Sequence, residues 1–437
     1  MMPISVAIVG SGPSAFYTAE ALLKSGVDCE VDIIERLPAP HGLIRYGVAP
    51  DHQTTKNVSR SYDRIAADAR VRFFGNVEVG RTVTLEHLKQ MYDAVVLAIG
   101  SPSDRRLGIP GEDKKGVIGS AAFVGWYNGH PEFVDLAPDL ITETVAVVGN
   151  GNVAIDVARV LVKTRKEMAA SDITDYAIEA IQAAPIRDVY MFGRRGPIEA
   201  KFTNVELREM GRLENCHPVV DPAQLPAEVG EIENDRDRRL KERNLATLRD
   251  FTALDPAGKE KRVHFAFFAA PVEILGGERV EALRLEHTHV DASGRAVGSG
   301  EFFDVACGLV IPAIGYRSEG ALGAPFDERR GIVVNREGRV GDGVYAVGWI
   351  KRGPTGVIGS NKPDGRAAAE QIVEDCGAGG KPGRAALQAH LKKDGARIVD
   401  YGEWRRIDAA EVSAAEKPSP RRKFITIDEM LSVLDRG

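Results

Sequence analysis

Cysteine is scarce in this 437-residue chain, and it is never clustered: the four residues, Cys29, Cys216, Cys307 and Cys376, include no Cys-x-x-Cys pair. That spacing offers neither a redox-active dithiol nor sequence-local ligands for zinc or an iron–sulfur cluster. Four separate reduced thiols are expected, and no metal. Long apolar runs are missing as well. No stretch approaches the roughly 18 residues of a bilayer-spanning helix, and no secretory leader precedes the first predicted strand, so the expected location is the cytoplasm. Positive charge is not in excess either: the net charge is −6, which gives no general footing for nucleic acid or an anionic membrane.

Glycine, by contrast, is abundant, with 46 residues. The chain is too long for one ordinary core, so two domains are expected. The hydrophobic content of 43% and charged content of 27% are those of a soluble globular protein. The most informative stretch lies near the N-terminus. The apolar run Val6-Ala7-Ile8-Val9 enters Gly10-Ser11-Gly12-Pro13-Ser14-Ala15, a pattern that reads as strand, tight turn and helix. In such a unit Gly10 makes the turn, Gly12 admits a pyrophosphate, and Ala15 lets helix and strand pack closely. A helix from Pro13 to Lys24 then points its free N–H groups and positive dipole end at the phosphates. Glu35, closing the next strand, suits the free hydroxyls of an adenosine ribose and repels a 2′-phosphate. This half is therefore expected to take FAD or NAD and not NADP. A single glycine fingerprint is also compatible with an ordinary βαβ turn.

A second fingerprint changes that balance. Val145-Ala146-Val147-Val148-Gly149-Asn150-Gly151-Asn152-Val153-Ala154 repeats the pattern, and two dinucleotide sites in one chain imply two nucleotides brought together. The strand predicted at Val189 to Phe192 ends in Gly193-Arg194-Arg195. Arginines where the first fold has Glu35 reverse its electrostatics and suit a 2′-phosphate. Two charge-assisted contacts of roughly 1.5 to 3 kcal/mol each correspond to a preference of about 10² to 10⁴ for NADP over NAD. A solvated strand end is the plain alternative.

Between the two fingerprints, Gly42-Leu43-Ile44-Arg45-Tyr46-Gly47-Val48-Ala49-Pro50-Asp51-His52 resembles the signature of the adrenodoxin-reductase-type ferredoxin–NADP⁺ reductases, flavoproteins of the glutathione-reductase superfamily. Further matches are Ala98-Ile99-Gly100, Phe202 to Met210, and Gly343 to Trp349 followed by the glycine-rich Lys351 to Gly359. The resemblance covers about residues 4 to 375. It implies an α/β fold of two three-layer Rossmann-like dinucleotide-binding domains with the FAD domain discontinuous: 1–104 and 326–376 for FAD, 105–325 for NADP, and a C-terminal extension at 377–437.

By the same resemblance, FAD would be met by Gly10, Gly12, Pro13, Ser14, Ala15, Glu35, Leu43, Val79, Trp349, Gly356, Val357 and Ile358. NADPH would be met by Arg105, Gly149, Asn150, Gly151, Asn152, Arg194, Arg195, Glu206 and Gly356. His52 and Glu209 are the candidate catalytic residues, although a histidine capping the Pro50-Asp51 turn would be merely structural. The implied activity passes two electrons from NADPH, one at a time, to a ferredoxin, a partner that is generally acidic. The charged helix expected from Glu231 to Asp250, with Arg236, Arg238, Arg239, Lys241 and Arg243, is either its docking face or an ordinary solvated face. Lys351 and Arg352 are the second choice. Flavin subunits of glutamate synthase carry a similar loop but typically have a cysteine-rich segment ahead of the fold, where this chain starts its first strand at Ile4. A flavin monooxygenase and a non-enzymatic nucleotide sensor are the remaining alternatives.

Smaller expectations concern the helix ends. Asp51 is expected to cap a helix to about Ala67, the second-fingerprint helix to run from Asn152 to about Lys166, Gly377 to Pro382 to be a flexible link, and Asp408 and Thr426 to cap helices in the tail.

Overall fold

A computed structural model describes residues 2–435 as two compact units. The first comprises the chain up to Ser103, the short stretch Asn128–Pro131, and everything from Tyr316 onward. The second comprises Asp104–Tyr127 and Glu132–Gly315. No helix among the described residues is long and apolar enough to cross a membrane.

In the first unit a six-stranded sheet runs in the order Arg339–Gly341, Val344–Ala346, Ala94–Leu97, Ile4–Val9, Cys29–Ile34, Val71–Phe74, parallel throughout except for its first pair. The central strand Ile4–Val9 is apolar at nearly every position because both its faces are covered. Val6 and Ile8 pack with Phe16, Ala19 and Leu22 of helix Pro13–Lys24. Ala7 and Val9 pack on the other side with Leu85, Leu88, Leu387 and Leu391. The layers are thus helix, sheet, helix.

Three polar contacts hold the ends of this unit. Asp32, buried in mid-sheet, accepts from Arg384 Nε (2.7 Å) and from the Tyr92 hydroxyl (2.7 Å). Asp93 accepts from Ser5 N and Oγ and also from Gly380 N and Lys381 N. The stretch from Gly377 to Pro382, expected as a flexible link, is therefore fastened to the sheet. Ser318 Oγ donates to the carbonyl of Gly100 (2.7 Å), so the returning chain joins this unit at Tyr316, ahead of the boundary expected at 326. The segment from 377 onward packs within the same unit, where Trp404, Ile407, Met430 and Leu434 share a core with Leu37, Ala39 and Tyr46.

In the second unit five parallel strands lie in the order Leu309–Pro312, Thr144–Val148, Asp188–Phe192, Lys261–Ala266, Cys216–Val220. One face carries the helices Asn152–Val162, Asp175–Ala183, Asn204–Met210 and Asp235–Thr252. The other is covered by an antiparallel three-stranded meander, Ala269–Leu275, Ala282–Val290 and Ala296–Ala306, whose Ile274, Leu283 and Leu285 pack on Ala146, Val148 and Phe192.

Several helix ends differ from expectation for identifiable reasons. The helix after the signature loop is broken into Gln53–Lys56 and Ser59–Ala66, and His52, not Asp51, occupies the N-cap position, its side chain not capping the helix. The second-fingerprint helix stops at Val162 because Thr164 and Glu167 form a capping box that starts a new helix, Arg165–Met168. Asp408 lies inside helix Tyr401–Ser413, whose cap is Asp400 with Glu403. Thr426 does cap with Glu429: Glu429 N donates to Thr426 Oγ1 (3.1 Å) and Thr426 N to Glu429 Oε2 (3.2 Å).

Helix Asn361–Cys376 crosses helix Pro13–Lys24 so closely at Gly365 that an added Cβ would sit 2.7 Å from Thr18 N. Gly365→Val is expected to lower the unfolding free energy of the first unit by about 3 kcal/mol through overpacking against backbone, measured by chemical denaturation.

Candidate functional site

Each unit has its chain reversal in strand order beside its first strand, and there the carboxyl ends of neighbouring strands leave a crevice. In the first unit Gly10 N donates to Ile34 O and Ala98 N to Val9 O (both 2.8 Å), which clamps the turn between two strand ends. Gly10 takes φ +101°, and a Cβ there would lie 2.5 Å from the Ala98 carbonyl oxygen, so only glycine fits. Gly12 is the opposite case. Its φ of −78° suits any residue, and a Cβ would meet nothing within 4 Å. It is also the N-cap of helix Pro13–Lys24 and provides no side-chain cap. The helix thus opens toward unfilled space with its N-terminal groups uncapped, which is what a phosphate requires.

The second unit repeats this geometry. Gly149 N donates to Phe192 O (2.8 Å) and Ala313 N to Val148 O (2.7 Å). Gly149 has φ +144° and an added Cβ would lie 2.3 Å from Ala313 O, whereas a Cβ on Gly151 would meet nothing within 4 Å. Gly151 caps helix Asn152–Val162, again without a side-chain bond.

The residues after the second strand distinguish the two turns. In the first unit Glu35 is half-buried, with Oε2 accepting from Ser11 N (3.1 Å) and Ser11 Oγ (2.6 Å) and Oε1 from Leu37 N (3.1 Å). These bonds place a carboxylate at the edge of the phosphate turn. In the second unit Arg194 is exposed and Arg195 half-buried. Their backbone is held by the meander: Thr288 Oγ1 donates to Arg194 O (2.9 Å), Phe268 N to Arg195 O (3.2 Å), and Arg195 Nη1 reaches Gly294 O (3.4 Å).

Asn150 Oδ1 and Glu206 Oε2 are among the buried acceptors with no hydrogen-bond partner among the described residues, as is Asn244 Oδ1. Buried acceptors are rarely left so, and Asn150 and Glu206 both lie in the unit that carries the arginine pair, where a ligand with N–H or O–H donors would satisfy them. Asn150 and Asn152 are themselves fixed, Asn150 O accepting from Lys201 N (2.8 Å) and Asn152 Oδ1 from Thr203 N (2.7 Å). Arg105 donates its N–H to Gly315 O (3.0 Å) and leaves an exposed side chain. Glu209 sits on helix Asn204–Met210 in an ion pair with the fully buried Arg159 (3.4 Å), which also pairs with Asp156 (2.8 Å).

The other predicted positions of the first unit divide in two. Leu43 and Val357 are large apolar side chains left 39% and 67% exposed, which a flat aromatic ligand would cover. Half-buried Trp349 donates Nε1–H to Thr355 O (3.1 Å), tying it to the Gly356–Ile358 turn. Val79, by contrast, is a core side chain packed with Val77 and Val83. His52 is half-buried at its helix N-cap, with N–H donated to Ala49 O (3.0 Å). Lys351 and Arg352 both pair with Asp364 (3.1 Å each), so neither is a simple surface cation.

Sequence reasoning missed His41 and Asp104. His41 is buried with a left-handed backbone, and burial together with the Arg45 charge holds its imidazole down to about 3, hence neutral. Asp104 accepts from Ser120 Oγ and Ala121 N and so caps the helix that starts at Ser120, while burial raises its carboxyl. Nothing in the local sequence signals either role. The thiols are as inert as their spacing suggests: all four are free, and burial pushes Cys216 and Cys307 up to about 12.

Two open glycine turns, one beside a carboxylate and one beside an arginine pair, define a two-dinucleotide α/β oxidoreductase. The family model for pyridine nucleotide-disulphide oxidoreductases matches residues 4–188. Over its whole length the chain is similar to the NADPH-ferredoxin reductase FprA of Mycobacterium tuberculosis, at 40% identity covering 99% of both chains. It is likewise similar to the mitochondrial NADPH:adrenodoxin oxidoreductase of Homo sapiens, at 41% identity covering 98% of this chain and 91% of that one. The structure of Mycobacterium tuberculosis FprA in complex with NADPH superposes with a TM-score of 0.93 at 40% identity, covering 99% of each chain. The chain belongs to the family of NADPH-ferredoxin and NADPH:adrenodoxin reductases.

The two glycines of the first turn should behave oppositely. Gly12→Ala is expected to cost no more than about 1 kcal/mol of stability, the difference between glycine and alanine at an N-cap, yet to yield protein without its yellow flavin band. Gly10→Ala is expected to destabilise by about 3 kcal/mol or more, through the carbonyl clash and the left-handed φ. Denaturation curves and visible absorbance separate the two effects.

Proposed function

We propose that this chain is an NADPH:ferredoxin oxidoreductase with FAD in the first unit and NADPH in the second. The observation that carries this reading is the pairing of two open glycine turns with side chains of opposite charge. Glu35 receives the free ribose hydroxyls of FAD, and Gly12 with the helix start at Pro13, Ser14 and Ala15 receives its pyrophosphate. Leu43, Trp349 and the Gly356–Val357–Ile358 turn cover the ring system, and Val79 supports the site from the core. In the second unit Gly151 and helix Asn152–Val162 receive the NADPH pyrophosphate and Arg194 and Arg195 its 2′-phosphate. Asn150, Glu206 and Arg105 are assigned to the rest of that nucleotide.

FAD, when bound, supplies the exchange between the two-electron chemistry of the nicotinamide and the one-electron chemistry of an iron–sulfur protein. The protein's own residues bind, orient and shield. His52 and Glu209 are the side chains assigned to proton handling, Glu209 oriented by Arg159. The partner is a ferredoxin, and the proposed location is the cytoplasm.

For docking we assign helix Asp235–Thr252, where Arg236, Arg239 and Arg243 are exposed. Arg238 is less available, because it is paired with Asp235 (2.6 Å) and Glu242 (3.6 Å) on its own helix.

Neutralising both Arg194 and Arg195 is expected to reduce the NADPH/NADH ratio of kcat/KM by about 10² or more; a ratio that hardly moves would refute the 2′-phosphate assignment. Charge reversal at Arg239 and Arg243 should raise the KM for ferredoxin and flatten its dependence on ionic strength, which acts beyond roughly 10 Å. Reduction of a small neutral quinone by NADPH should be unaffected. Unchanged ferredoxin kinetics would make this helix a solvated face.

A further inference from the structure

After the Glu35 strand the chain folds back onto the phosphate turn. His41 N donates to Ser11 O (3.0 Å), and an added Cβ on Gly42 would lie 3.1 Å from the Cα of Gly12. To reach this position two successive residues adopt left-handed backbone, His41 at φ 85° and Gly42 at φ 50°. A non-glycine residue there is strained, and such strain persists only where the surroundings over-determine it. The next helix, Leu43–Tyr46, is a single turn with no side-chain cap and is too short to fix itself.

The surroundings that fix it come from the far end of the chain. Tyr401 Oη lies 3.4 Å from His41 Nε2 and donates to Asp63 (2.5 Å), and the Trp404 ring meets the His41 ring edge-on. Arg45 donates to Glu411 through both Nη atoms (2.9 and 2.5 Å), the two side chains being 4% and 0% exposed. The Arg45 guanidinium also lies over the rings of Tyr46 (5.1 Å) and Trp404 (5.2 Å). Glu411 is fixed in turn by Phe424 N (2.8 Å), and Lys423 Nζ donates to the Arg45 carbonyl (3.4 Å).

We propose that helix Tyr401–Ser413 is a working part of the flavin site: through the buried Glu411–Arg45 pair it holds the strained His41–Gly42 turn closed against Ser11–Gly12, making Glu411 a positioning residue for FAD. The inference rests on the assignment of FAD to the first unit. Physically, removing the carboxylate leaves a buried guanidinium without its counter-charge, and the strained turn is the element next to it that can relax.

The test uses the full chain, stripped of flavin and titrated with FAD by fluorescence quenching, with near-UV and visible circular dichroism of the bound ring as a second readout. Glu411→Gln is expected to raise the FAD Kd roughly tenfold or more, consistent with breaking a buried ion pair, and to alter the dichroism of the bound flavin. The double variant Arg45→Met with Glu411→Met removes the buried pair together, so neither partner is left without its counter-charge, and it decides the matter if the single variant does not fold. It too should bind FAD more weakly than the parent. Tyr92→Phe, which removes a buried hydrogen bond to Asp32 in the same sheet, serves as the stability control and should leave the Kd unchanged. A parental Kd in both Glu411 variants, or an equal rise in Tyr92→Phe, would overturn the inference. A parent protein that takes up no FAD, or a Glu35→Gln variant that retains it fully, would instead overturn the flavin assignment beneath it.

Discussion

A backbone carbonyl pressed against a glycine is the constraint on which each unit depends. The Ala98 oxygen in the first unit and the Ala313 oxygen in the second stand where the Cβ of any larger residue would have to be. Because the parallel ladders fix those carbonyls, the turn has nowhere to go but outward, and the second glycine of each fingerprint is left facing empty space. The same residue type thus stands in two unlike settings: Gly10 and Gly149 are demanded by the protein itself, whereas at Gly12 and Gly151 the protein makes no such demand, and the proposed nucleotides would. The helices behind them begin without side-chain caps, and on the proposed assignment the ligand would complete them.

On this duplicated frame, identity is set by very few atoms. On the proposed assignment, one carboxylate after the second strand, held by Ser11 and Leu37, and two arginines whose backbone is held by the meander would decide which nucleotide each unit accepts. The meander replaces a helical layer on one face of the second sheet, and the same structure that buries Phe192 also braces the strand end carrying the arginines. All four thiols are free, and burial or partial burial reduces their acidity.

The parts of this architecture legible in the sequence are those whose cause is local. Strand runs such as Val6 to Val9, the two fingerprints, and the helix from Pro13 to Lys24 are specified within a few residues, and the structure has them where the pattern puts them. Helix ends are less legible, since a capping aspartate is recognisable only when the helix start is known; Asp400 and Asp408 each stand three residues ahead of a Glu, Glu403 and Glu411, and only the fold makes the first pair a capping box and engages Glu411 with Arg45 instead. The glycine- and proline-rich stretch after Cys376 reads as loose because its anchor, Asp93, is remote in sequence. Lys351 and Arg352 read as surface charge because their partner, Asp364, lies one helix later. The strain at His41 leaves no compositional trace at all.

The order in which the chain is made gives the discontinuity of the first unit a meaning in biosynthesis. The second unit is complete once Gly315 has been synthesised, but the first still lacks two strands of its sheet and the segment that carries Arg384, Tyr401 and Glu411. Domains tend to fold as units while the chain emerges. Here the glycine turn made first waits on residues made much later, so on the proposed assignment flavin uptake would follow the synthesis of Glu411. A chain released early, for instance before Tyr401, would carry a complete second unit joined to a first unit whose His41–Gly42 turn lacks the contacts that hold it.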